Sequence, residues 1–172
     1  MPSPRPEPIL FVDVDGVLSV FGFPPAPAVP PGGFHSVDGI PHCIPGSGGP
    51  RLDRLARTFD LVWATGWEER ANEYLPHILA LGCGDLPVVR FGDRPRAAGA
   101  GHWKLAAIDA YAGPTRPAAW IDDDLDERCE AWVARRDAPT LLVRTDPALG
   151  LADEHVTELE RWAAHVSGRY AV

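Results

Sequence analysis

The residues best placed to do chemistry are acidic and lie near the start of the chain. Residues 9–18 read Ile9-Leu10-Phe11-Val12-Asp13-Val14-Asp15-Gly16-Val17-Leu18. An apolar run of strand length stops at Asp13, resumes for one residue and stops again at Asp15, where Gly16 frees the backbone to turn. If the strand reaches Asp15, its period of two turns both carboxylates to one side. Two carboxylates held together at a strand end repel unless a cation lies between them. The plain alternative is that they solvate the end of a core strand. Three later positions extend the pattern. Thr65 follows the apolar run Leu61-Val62-Trp63-Ala64, and Asp122-Asp123-Asp124 follow Ala118-Ala119-Trp120-Ile121. Lys104 is the one lysine in a chain that otherwise uses arginine for its positive charge, which suggests a position that needs an ammonium.

Five strands and the helices between them must carry these groups. The expected strands are 9–13, 61–64, 87–91, 118–121 and 140–143. The expected helices are 50–59, 68–80 with Pro76 as a kink, 102–111, 125–136 and 153–166. Alternation of this kind predicts an α/β fold, a mostly parallel five-stranded sheet with helices on both faces. Right-handed crossovers then bring every C-terminal strand end to one edge, where open α/β sheets bind ligands. Asp13, Thr65 and Asp122 all fall there. Residues 19–49 are rich in proline and glycine. Within them, residues 34–44 read as a hairpin about Asp38-Gly39 lying over the strand ends. Residues 1–8 read as a loose Pro-rich tail and 9–172 as one domain.

Composition narrows the function. A net charge of −8 over 172 residues argues against bulk binding to nucleic acid or anionic membrane, without excluding a local basic site. No run is long enough to span a bilayer. Three scattered cysteines and an N-terminus without the order of a secretion signal point to a cytoplasmic protein with reduced thiols. No Gly-rich phosphate loop of the kinase type is present.

The ordered set Asp13-x-Asp15, Thr65, Lys104 and Asp122-Asp123 resembles the four-motif signature of the haloacid dehalogenase (HAD) superfamily of phosphohydrolases, over about residues 9–143. The resemblance implies a Rossmann-like three-layer fold and a Mg²⁺-dependent phosphatase. It makes Asp13 the nucleophile that forms an aspartyl-phosphate, and Asp15 the acid and then base. Thr65 and nearby amides would hold phosphoryl oxygens, with Gly66 and Trp67 beside the substrate, and Lys104 would neutralise charge. Mg²⁺ would sit on Asp13, the Asp15 carbonyl and Asp122, with Asp123 in support. Neither insertion point holds enough chain for a separate cap, so the sequence is similar to the capless type. The runs 61–67 and 119–123, with Trp132, look like a small HAD domain found in bacterial RNA-repair proteins. The implied substrates are phosphorylated, with RNA or DNA ends or nucleotides as candidates.

Rival readings remain open at this point. A small-metabolite phosphatase and a non-enzymatic Mg²⁺-binding module both fit the fold, although the intact aspartate pair argues against the second. A dehalogenase is disfavoured by Asp15. Asp124 and Asp126 suit a helix cap, and His35, His42 and Cys43 suit a surface flap. Arg90, Arg94 and Arg96 read either as a second anion site or as a solvated loop. Trp67 and Trp103 read either as the mouth of the site or as core.

Overall fold

A computed structural model describes residues 7–25, 29–92 and 102–169. At its centre lies the apolar run read above: β1 (Ile9–Val12), every residue of which is buried. The chain then forms an antiparallel hairpin, β2 (Gly33–Val37) and β3 (Ile40–Ile44). Its two-residue turn places both Asp38 (φ 50°) and Gly39 (φ 81°) in the left-handed region, as an Asp-Gly hairpin turn requires. Next come α1 (Gly48–Leu55), β4 (Asp60–Trp63) and α2 (Arg70–Ile78), which runs through Pro76 and ends two residues beyond it. The last third comprises α3 (Leu105–Ala112), β5 (Ala118–Asp122), α4 (Glu127–Arg135), β6 (Thr140–Arg144) and α5 (Asp153–Arg169).

The sheet runs β4-β1-β5-β6, all parallel. Strand β1 is interior, and the chain leaves it for β4 on one side before returning to β5 on the other. The order therefore reverses at the C-terminal end of β1, where a crevice opens. Burial on both faces explains the unbroken apolar character of β1. Leu10 and Val12 pack with Leu52 and Leu55 of α1, Leu75 of α2 and Leu159 of α5. Ile9 and Phe11 pack with Ile108 of α3 and Trp132 of α4. Each such side chain contributes roughly 1.5–3 kcal/mol on burial, so the aspartates that follow are anchored to the most deeply packed strand.

The fold is the α/β, mainly parallel, helix-flanked architecture the alternation predicts, with one difference. Residues 87–91 do not form a full fifth strand. They meet β4 through a single parallel bridge, Trp63 to Val88, with Trp63 N–H donating to Pro87 O and Val89 N–H to Trp63 O, both at 2.8 Å. Pro87 has no N–H to extend the ladder. At the other end the Phe91 N–H is taken by a side chain, Glu68 Oε1 at 3.0 Å. Among the described residues, no helix is long and apolar enough to cross a membrane.

Candidate active site

Three strand ends converge at the crevice. Strand β1 stops at Val12, so Asp13 is the first residue beyond it. Thr65 follows β4 by two residues, and Asp122 closes β5. Residues 14–19 then fold back in a tight loop, with Leu18 and Ser19 N–H donating to Val14 O. Gly16 takes φ 77°, and a Cβ there would fall 2.3 Å from the Asp123 carboxyl carbon. Glycine is thus required twice over, by its backbone angle and by the carboxylate against it.

The acidic groups form two sets. Carboxylate oxygens of Asp13, Asp122 and Asp123 lie within 4.8 Å of one another. Lys104, at the N-terminus of α3, reaches into this set. Its Nζ lies 2.8 Å from Asp13 Oδ1 and 2.7 Å from Asp122 Oδ2, and both of its partners are buried. Asp122 is held further by Trp120 Nε1–H at 3.1 Å and by Asp124 N–H at 3.0 Å. Asp15 stands apart from the three. Its carboxylate is half exposed; it accepts from Trp67 Nε1–H at 3.0 Å and has His42 Nδ1 at 3.8 Å. Asp13, Asp15, Gly66, Lys104, Asp122 and Asp123 line one cleft of about 330 Å³.

Burial dominates the electrostatics. It pushes the Asp13 carboxyl up to about 7; Lys104 opposes the rise and Asp122 adds to it. Burial also works against the charge on Lys104, but Asp13 and Asp122 outweigh it and hold its pKa above the ordinary value. Asp123 is raised by burial and then by Asp122. Burial thus works against the charge on Asp13, and a further cation beside Lys104 would favour its ionised form. The donor set is all carboxylate oxygen, which fits a hard divalent ion.

Thr65 is fully buried, and its Oγ accepts from the Trp67 N–H at 3.2 Å. Gly66 faces the cleft. Trp67 is 7% exposed, so it offers a ligand no open ring face; its indole serves Asp15 instead. Arg90 is paired with Glu69 at 2.6 Å, and Arg94 and Arg96 lie outside the described residues. Of the two acidic residues assigned to capping, Asp126 caps α4, accepting from Arg128 and Cys129 N–H.

Sequence reasoning missed His102 and Thr145, and read His42 only as a flap residue. His42 shares a 2.9 Å hydrogen bond with Ser19 Oγ beside Asp15. Buried His102 lines the cleft. Its Nδ1 accepts from the Lys104 N–H at 3.3 Å, which leaves the proton on Nε2, and that atom has no partner among the described residues. Thr145 donates to Gly16 O at 2.7 Å and so fixes the aspartate loop. No motif spacing marks these residues; each acts through a contact made only in the folded chain.

A parallel α/β sheet with an aspartate after its central strand, a lysine bridging that aspartate to a second one, and an acidic cluster at the switch point is the arrangement of the HAD type. The comparison with known families agrees over residues 9–156, which match the model of the HAD domain in Swiss Army Knife RNA repair proteins. The chain belongs to this family, whose HAD domain implies a phosphatase-type hydrolase. No curated protein and no solved structure matches it significantly.

Proposed function

We propose that the protein is a Mg²⁺-dependent phosphomonoesterase that works through an aspartyl-phosphate and takes phosphorylated nucleic-acid ends or nucleotides. The observation that carries this reading is the Lys104 bridge between Asp13 and Asp122, with Asp15 on the same cleft but held by Trp67 instead. Lys104 occupies Asp13 Oδ1, leaving Oδ2 as the nucleophile. That oxygen attacks phosphorus while the bond from phosphorus to the ester oxygen breaks. Asp15, steadied by Trp67, gives its proton to the departing oxygen. It then takes one from the water that cleaves the aspartyl-phosphate, releasing phosphate and restoring both carboxyl groups. Thr65, the Gly66 backbone and Lys104 receive the phosphoryl oxygens. Asp13, Asp122, Asp123 and the Asp15 carbonyl would hold Mg²⁺, which supplies positive charge against two approaching anions. The compartment we assign is the cytoplasm, where Cys43, Cys83 and Cys129, all unpaired, stay reduced.

The test is hydrolysis of a panel of phosphomonoesters with and without Mg²⁺. Turnover that requires the ion and disappears in a folded Asp13→Asn variant supports the reading. Full activity in that variant, or in excess chelator, overturns it. Equal or better turnover of sugar phosphates would make the enzyme a small-metabolite phosphatase.

A further inference from the structure

A second cleft, of about 360 Å³, adjoins Asp15. Asp15 is the residue it shares with the acidic cleft. Its other walls are apolar and aromatic. Phe21 and Phe23 come from the segment after the aspartate loop; Phe34, Pro41 and His42 come from the hairpin. The two parts are joined by backbone pairing, with Val20 N–H donating to Cys43 O at 2.8 Å, so the cleft is a built feature of the fold. Phe21 is 49% exposed and Phe34 60% exposed, an uncommon use of two large rings beside a polar site. Among the described residues, the lining holds no lysine or arginine.

We infer that this cleft is the leaving-group subsite and that it takes the nucleoside bearing the scissile phosphate, stacked between Phe21 and Phe34. The inference rests on the phosphatase reading above and names the substrate side of the same site. In phosphoryl transfer the attacking and leaving oxygens stand roughly in line on opposite sides of phosphorus. With Asp15 as the acid that protonates the leaving oxygen, that oxygen stands beside Asp15, and whatever it carries can enter the cleft that Asp15 also lines. A flat, neutral, π-faced group fits walls with exposed rings and no cation. A nucleobase meets that description; a sugar or an alkyl chain leaves the ring faces wet, and a second phosphate finds no positive partner there.

Phe34→Ala and Phe21→Ala are the variants of choice, since both side chains are exposed and their loss leaves the core intact. The substrates are a short oligonucleotide with a terminal phosphate, at the 5′ and at the 3′ end, and glycerol phosphate. We expect kcat/KM for the oligonucleotide to fall about tenfold in each variant, the loss typical of one stacked base, with glycerol phosphate changing by less than about twofold. Equal effects on both substrates would overturn the proposal. Binding separates the subsite from the chemistry. A dephosphorylated oligonucleotide, followed by fluorescence anisotropy, should bind the wild type and bind Phe34→Ala about tenfold more weakly, even if no phosphomonoester is hydrolysed. No difference between the two proteins overturns the subsite whatever the enzyme does. So does a dimer that Phe34→Ala dissolves, which would give these rings to a second copy of the chain.

Discussion

Lys104 has 5% of its side chain exposed and a carboxylate on either side, at 2.8 and 2.7 Å. A compact ammonium fits that gap, whereas a planar guanidinium is wider and spreads its donors. Lys104→Arg should cost at least about tenfold in kcat, roughly 1.4 kcal/mol of barrier, and steady-state kinetics on an aryl phosphate will measure it. This residue was legible in the sequence because composition isolated it. His102 was legible only as a residue type, and Trp67 was expected beside the substrate, since their contacts with Lys104 and Asp15 are not encoded by spacing. Asp13 yields a pH prediction. Its pKa is raised on folding, so the stability it contributes is full below its ordinary value of 3.8 and is lost as pH rises through about 7. A cation that binds the ionised form reverses the loss above pH 7 and competes with the proton below it. Two pH units below that pKa, at about pH 5, Mg²⁺ should bind roughly a hundredfold more weakly than when Asp13 is fully ionised. Thermal shifts titrated with Mg²⁺ at about pH 5 and about pH 8 will report the difference; a shift that is equal at both, or larger at about pH 5, removes Asp13 from the metal site.

The aspartate loop is the element on which the site turns. Gly16 lies against the Asp123 carboxylate with no room for a methyl group. Gly16→Ala should displace Asp123 and weaken Mg²⁺ binding by about 10- to 100-fold, as disturbed support of a metal ligand commonly does; isothermal titration on the folded variant checks this. Unchanged affinity would take Asp123 out of the metal set. Most elements were readable because each obeys one period: 3.6 in α4 and α5, and unbroken apolar runs in β1 and β5. The segment 87–91 was misjudged as a full strand because its apolar residues satisfy the same rule. What decides is where its N–H groups go: Pro87 has none, and that of Phe91 goes to Glu68. Helix starts were read two to three residues off at α1, α2, α3 and α4. Only α4 has a side-chain cap, Asp126, to mark its first turn.

Across the whole molecule, charge sets how nucleic acid can approach. With a net charge of −8, the protein as a whole disfavours a long polyanion, so the proposed substrate would be accepted only where Lys104 and a bound cation face a terminal phosphate. The slope of log affinity against log salt for a phosphorylated oligonucleotide should therefore lie within about −2, well short of a protein that tracks a duplex. Binding measured across a salt series tests this, and a steep slope would reveal a basic track that the described residues lack. The clasp on the aspartate loop has a consequence of another kind. Thr145 holds Gly16 across 129 residues of sequence, while Leu151 N–H donates to Val17 O and Phe21 N–H to Pro147 O. The loop that carries Asp13 and Asp15 thus depends on residues that are translated much later. At about 5–20 residues per second, the ribosome extends the chain for roughly ten seconds between the two. Until Thr145 emerges, the hydrogen bond that holds the Gly16 carbonyl cannot form, so the aspartate loop is among the last parts of the fold to be fastened.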